Sequence, residues 1–145
     1  MKILLAIDHP GSAESTVQTV IDQFRPEPSE VLVLHVLQPV DSEPAPEMAQ
    51  GYAPELDGQL EPARALVEHI ANLLRSSGFK AETDVQIGDP IMNILNTAAS
   101  WHADLIVVGD HGKWDLQNIF IGSVAQSVAH QAKCSVEIVR TPPVH

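Results

Sequence analysis

The residues with the most evident chemistry lie in the stretch VVGDHGKWDLQNIFIGS, residues 107–123, where the glycines follow the pattern Gly109-x2-Gly112-x9-Gly122-Ser123. Glycine admits backbone conformations and close approaches that a Cβ forbids. A helix opening at Gly122 and Ser123 would present free N–H groups and the positive end of its dipole. Anions bind at such ends. The Ser123 hydroxyl can cap the helix or donate to a phosphate oxygen. The stretch thus reads as a phosphate-binding turn, against the plainer reading that its glycines shape two tight turns and Ser123 only caps. Neither G-x4-G-K-S/T nor G-x-G-x-x-G after the first apolar run is present, so a P-loop and a dinucleotide fingerprint are both excluded.

A second constellation is the repeated Asp-His pair in IDHPG and GDHGK, which supplies Asp8, His9, Asp110 and His111. Two imidazoles and two carboxylates suit a divalent transition metal. The competing readings are solvated loop residues, or groups that grip a metal carried in by a nucleotide. His35, inside an apolar run, reads as a core or pocket-edge imidazole. Trp101 reads as packing where its helix ends, and Trp114 as a loop anchor or lid, with base stacking the alternative for both. Cys134 reads as a small buried apolar side chain, since no neighbour is placed to lower its pKa. No spacing secures a nucleophile with a base in reach, so the residues favour binding over turnover.

These groups must be positioned by strands and helices that alternate. The run Ile3 to Ile7 ends in the turn cluster DHPGS and reads as a strand buried on both faces. A helix follows, with Ser12 as its cap, Glu14 in its first turn, and Val17, Val20, Ile21 and Phe24 at helical spacing. VLVLHV, residues 31–36, repeats the buried-strand signature. An acidic, proline-rich segment at about 39–58 reads as a mobile surface loop. From Leu60, an apolar stripe through Ala63, Leu66, Val67, Ile70, Leu73 and Leu74 predicts a helix ending at Gly78. FKAETDVQI alternates as a strand, and the next helix opens with Asp89 as N-cap and Pro90 at its first position. DLIVVG, GSVAQSVAHQA and SVEIVR complete a strand, a helix and a last strand.

Such alternation implies one α/β domain over residues 1–145: an open parallel five-stranded sheet, order 3-2-1-4-5, with helices on both faces. Ligands of such sheets bind beyond the carboxyl ends of the strands where the order reverses, which points to Asp8, to His35 through Leu37, and to Gly109. The last strand, residues 135–140, falls at a sheet edge. Val136, Ile138 and Arg140 share one face, and Ser135, Glu137 and Val139 the other. That is too apolar for a strand solvated on both sides, so a homodimer through this edge is expected, the alternative being cover by the tail TPPVH.

Composition narrows the partners. Nineteen acidic against eight basic side chains give a formal charge of -11, which repels nucleic acid and anionic membranes. The single cysteine rules out an intrachain disulfide and fits a reducing compartment. The opening apolar run stops at Asp8, too soon for a signal sequence or a membrane span. The cytoplasm is the expected location.

The glycine pattern, Asp8 closing the first strand, LHV ending the second, the Gly-Asp-Pro helix start and the tail GSVAQSVAHQAKCSVEIVR together resemble the ATP-binding branch of the universal stress protein family, over essentially the whole chain. The resemblance implies that ATP, with Mg or Mn, is the ligand. It places Ala6, Ile7 and Asp8 against the adenosine and the backbone around Val36 against the adenine edge. Val108, Gly109, His111 and Gly112 would line the ribose and phosphates, and Gly122, Ser123 and Val124 would hold the phosphate tail. It also implies a homodimeric stress-signalling module with slow or absent hydrolysis. The sequence departs from the family's pattern at Asp110, where a small hydroxyl residue is usual, at Ala125, which lacks a hydroxyl, and in KWDLQNIFI, which has no glycine and carries Asp115. Two extra carboxylates near a triphosphate weaken its binding unless a metal or Lys113 offsets them. Two other functions follow from these departures: a relative that has lost ATP and acts through protein partners, or a metal-dependent phosphohydrolase or nucleotidyl enzyme built on the Asp-His pairs.

Overall fold

The runs rich in Val, Ile and Leu form five strands: β1 (Lys2–Ile7), β2 (Glu30–Leu37), β3 (Lys80–Ile87), β4 (Leu105–Gly109) and β5 (Ser135–Val139). The computed structural model describes residues 1–8, 10–39, 54–110 and 122–140. All pairings are parallel, and the sheet order is β3-β2-β1-β4-β5. Four helices alternate with the strands: α1 (Pro10–Gln23), α2 (Pro54–Ser76), α3 (Pro90–Trp101) and α4 (Ser123–Gln131).

The side-chain period of two sorts each strand between two cores. Ile3, Leu5 and Ile7 pack with Ala13, Val17 and Val20 of α1 and with Val67, Ile70 and Leu74 of α2. Leu4 and Ala6 pack on the other face with Ile94 and Ala98 of α3 and with Ala125 and Val128 of α4. Ile3, Leu4 and Leu5 are completely buried, which explains the unbroken apolar run of β1. Among the described residues, no helix is long and apolar enough to cross a membrane.

Helix starts differ from expectation at two places. α1 begins at Pro10, so Ser12 lies inside its first turn instead of capping it. Proline is suited to a first helical position because its ring presets φ and its missing N–H has no helical partner to lose. Glu14 accordingly falls beyond the first turn, and its carboxylate meets Nε2 of His69 on α2 at 3.2 Å. α2 begins at Pro54 instead of Leu60 and takes up the end of the expected 39–58 loop; residues 40–53 lie outside the described residues. The helix continues through Pro62, whose missing N–H leaves the carbonyl of Gly58 without its usual donor. Both residues are exposed, so that carbonyl is open to solvent.

Helix ends follow the sequence closely. Gly78, at φ +94°, closes α2 in a left-handed turn in which Gly78 N donates to Arg75 O and Phe79 N donates to Leu74 O, both at 3.0 Å. Leu74 and Phe79 belong to the same core, which completes this stop signal. At α3, the Asp89 carboxylate accepts from Met92 N at 2.9 Å with Pro90 behind it. Asp89→Ala should therefore cost about 1 kcal/mol of stability and Asp89→Asn only a few tenths, read from the urea midpoint at constant slope.

Candidate functional site

β1 sits between β2 and β4, so the chain leaves its carboxyl end at the point where the strand order reverses. A cavity of about 510 Å³ opens there. Leu34 and Val36 of β2, Pro90 and Ile94 of α3, and Val108 of β4 make an apolar chamber on one side. Gly109 at the end of β4 and Gly122, Ser123 and Val124, where α4 begins, also line the cavity. Ala6, Ile7 and Asp8 make the floor, Ser12 and Thr16 add a strip from α1, and Ala125 and Gln38 complete the lining.

Nine residues expected at the site are therefore brought together: Ala6, Ile7, Asp8, Val36, Val108, Gly109, Gly122, Ser123 and Val124. His111 and Gly112 lie outside the described residues, as do His9, Lys113, Trp114 and Asp115. Among the described residues, no group of three or more His, Cys, Asp or Glu side chains is placed to hold a metal.

Of the two reasons given for the glycines, an unusual backbone conformation does not hold at the two positions described. Gly122 has φ -61° and ψ 156°, which any residue adopts. Gly109 is not among the glycines with positive φ. A Cβ built on it would meet nothing nearer than Thr16 Oγ1 at 3.8 Å, an ordinary contact. The chain's own packing does not demand glycine at 109. What the missing side chain provides is room in the cavity wall.

Ser123 does not cap α4. Gly122 is the N-cap and makes no side-chain bond, so Ser123 is the first helical residue. Its side chain is exposed and has no hydrogen-bond partner among the described residues. The first bond along the helix is Gln126 N to Gly122 O at 3.0 Å, so the N–H groups of Ser123, Val124 and Ala125 precede the helical ladder. All three residues line the cavity.

Asp110 also corrects expectation. It is 3% exposed and does not line the cavity, so its carboxylate is not the phosphate-facing charge the sequence suggested. Its backbone is a junction: Asp110 N donates to Val139 O at 2.8 Å, and its carbonyl accepts from Gly122 N. These bonds tie the ends of β4 and β5 to the start of α4. Asp8 is the one carboxylate lining the described cavity; it is exposed, with no side-chain partner among the described residues.

His35 is half-buried, with Nδ1 2.8 Å from Ile7 O. That distance requires the proton on Nδ1, which donates to the carbonyl just before Asp8. The imidazole therefore fastens the end of β1 and does not line the cavity. Leu37 O accepts from Gly88 N at 2.9 Å on the β3 side. Backbone groups of successive strand residues point to alternate sides, so the Val36 carbonyl faces the space beyond the end of β1. Trp101 packs at the far end of the sheet with Lys2 Nζ 5.3 Å from its ring centroid, and does not reach the cavity. Cys134 is half-buried in a separate groove between α3 and α4. Burial, with the Asp104 carboxylate adding to it, pushes its thiol above the usual range, as befits an inert side chain.

The sequence did not single out Thr16, Leu34, Gln38, Pro90 and Ile94 as cavity residues. The signals were present as spacings: Ser12 and Thr16, or Pro90 and Ile94, are one helical turn apart, and Leu34, Val36 and Gln38 are spaced by two. Which of these faces meet depends on tertiary packing.

A parallel α/β sheet with an apolar chamber running to a helix start defines a ligand-binding domain of the open-sheet class. The universal stress protein family model matches residues 1–140, and the chain belongs to that family. It is 33% identical over 150 aligned positions to universal stress protein Sll1388 of Synechocystis, covering 96% of this chain and 97% of that one. The solved structure of MJ0577, a universal stress protein of Methanocaldococcus jannaschii, superposes with a TM-score of 0.83 at 29% identity, over 99% of this chain and 97% of that one. An Arabidopsis thaliana family member solved with AMP bound superposes at 0.67 with 20% identity, over 98% of this chain and 92% of that one. At that identity the likeness is one of fold.

If Gly109 is kept for the cavity and not for the chain, Gly109→Ala should fold normally, with stability unchanged or raised by about 0.4–1 kcal/mol. Urea denaturation checks this; a loss above about 1 kcal/mol would mean that packing requires the glycine.

Proposed function

We propose that the protein binds ATP together with Mg or Mn in this cavity and acts as a nucleotide-dependent stress-response module in the cytoplasm, with slow or no hydrolysis. The observation that carries the reading is the joining of an apolar chamber, Leu34, Val36 and Ile94, to the free N–H groups at the start of α4. A base fits the first and a phosphate the second. Asp8, between them, accepts hydrogen bonds from sugar hydroxyls. The AMP-bound Arabidopsis relative of the same fold supports an adenine nucleotide.

Charge explains the metal. The described cavity is lined by no lysine, arginine or histidine, and the whole chain carries a formal -11. A helix start contributes about 0.3–1 kcal/mol towards one anionic group at an exposed site. That is small against a triphosphate, so a divalent cation carried by the nucleotide, or Lys113, which lies outside the described residues, offsets the remaining charge. The same lining argues against turnover: Asp8 is the one titratable side chain in it, with no described neighbour to act as its complementary acid.

Mg-ATP at about 100 times its Kd should stabilise the protein by roughly 2.7 kcal/mol, seen as a rise in Tm. Gly109→Ala and Gly122→Val should remain folded and lose most of that rise, because each places a side chain where the ligand must approach. A folded, nucleotide-free wild type that shows no rise at millimolar Mg-ATP would sink the nucleotide reading and favour a family member working through protein partners.

We further propose a homodimer through β5. That strand is at the sheet edge, it ends at Val139, one residue short of expectation, and Val136 and Ile138 are only half-buried. Pairing with a second copy about a two-fold axis satisfies the outer row of N–H and C=O groups and covers this apolar surface. Sedimentation at micromolar concentration should give a dimer for the wild type and a monomer for folded Ile138→Lys; a wild-type monomer, or a folded variant as dimeric as its parent, would exclude this interface.

A further inference from the structure

Building on the nucleotide reading, we propose that Gln38 is a base-binding residue that hydrogen-bonds the edge of the purine. β2 delivers Leu34 and Val36 to the apolar chamber, and the period of two carries the next position on that side to Gln38, which also lines the cavity. The sheet ends just before it, at the Leu37 carbonyl bonded to Gly88 N. The Gln38 side chain is exposed, and its amide has no hydrogen bond among the described residues.

The other polar side chains of the described lining are placed or used differently. Asp8 stands at the end of β1, and Ser123 at the start of α4. Thr16 Oγ1 donates to Ser12 O at 2.8 Å within α1. Gln38 alone among them extends the strand face that forms the base chamber. A carboxamide presents a donor and an acceptor side by side, the complement of adenine's amino group and adjacent ring nitrogen. By turning over, the same amide matches a keto group, so Gln38 supplies affinity for purines in general. The Val36 carbonyl, an acceptor beyond the end of β1, supplies the preference for a 6-amino group.

The test is calorimetric titration of folded wild type and Gln38→Ala with three probes in the presence of Mg: ATP, purine riboside 5′-triphosphate, which lacks the 6-amino group, and inorganic tripolyphosphate. Gln38 is exposed at a strand end, so its truncation should leave the fold intact. Loss of the base-edge hydrogen bonds should weaken ATP binding by about three- to tenfold. Purine riboside triphosphate should lose less, because one of the two bonds is already missing, and tripolyphosphate should be unaffected. Unchanged ATP affinity in the variant would overturn the assignment, as would an equal loss for all three probes. A wild type that binds tripolyphosphate but not ATP would instead overturn the nucleotide reading on which it rests.

Discussion

Strand β1 is hydrogen-bonded on both sides, to β2 through Lys2–Ile7 and to β4 through Ile3–Ala6, and its side chains alternate between two closed cores. A strand held in this way has one free direction, out of its carboxyl end. The helices that leave its end and the end of β4 part there, α1 after β1 towards one face and α4 after β4 towards the other. The cavity is the space left between them. His35 fastens the rim by donating to Ile7 O, and the Asp110 backbone fastens the opposite rim to β5 and α4.

That geometry assigns the electrostatics to the backbone. With nineteen acidic and eight basic side chains, a phosphate-binding site built from lysines and arginines would run against the composition, and the described lining has neither. In the proposed function, partial charges at a helix start serve instead, and they require that side chains stay out of the way. Gly109 and Gly122 do this without any unusual backbone conformation. Burial of Asp110 also keeps out of the cavity lining a side chain that the sequence alone would place against the ligand.

Much of this was legible beforehand, for identifiable reasons. Strand order and layer arrangement followed from alternating apolar runs, since burial on two faces leaves a continuous run and on one face a period. Asp89 with Pro90, and Gly78, marked helix ends because their chemistry is local. Ser12 was misread because a good capping residue lay two positions after a proline equally fit to open the helix. The 54–58 segment was misread as loop because it continues the acidic, proline-rich composition before it and precedes the apolar stripe, although Pro54 is fit to open a helix. Asp110 carried the loop chemistry of its neighbours in sequence, and nothing local revealed that the junction of β4, β5 and α4 would enclose it. Thr16, Pro90 and Ile94 became cavity residues through the meeting of helix tops, a property of the assembled layers.

The central claim is that a nucleotide lies across the carboxyl ends of β1, β2 and β4 with its phosphates at the start of α4. Amide chemical shifts of the ¹⁵N-labelled protein, followed during titration with Mg-ATP, test this residue by residue. The account predicts saturable shifts concentrated at Asp8, Val36, Val108, Gly109, and Gly122 through Ala125, with the groove around Cys134 unmoved. Shifts confined to that groove, or none at millimolar Mg-ATP, would contradict it.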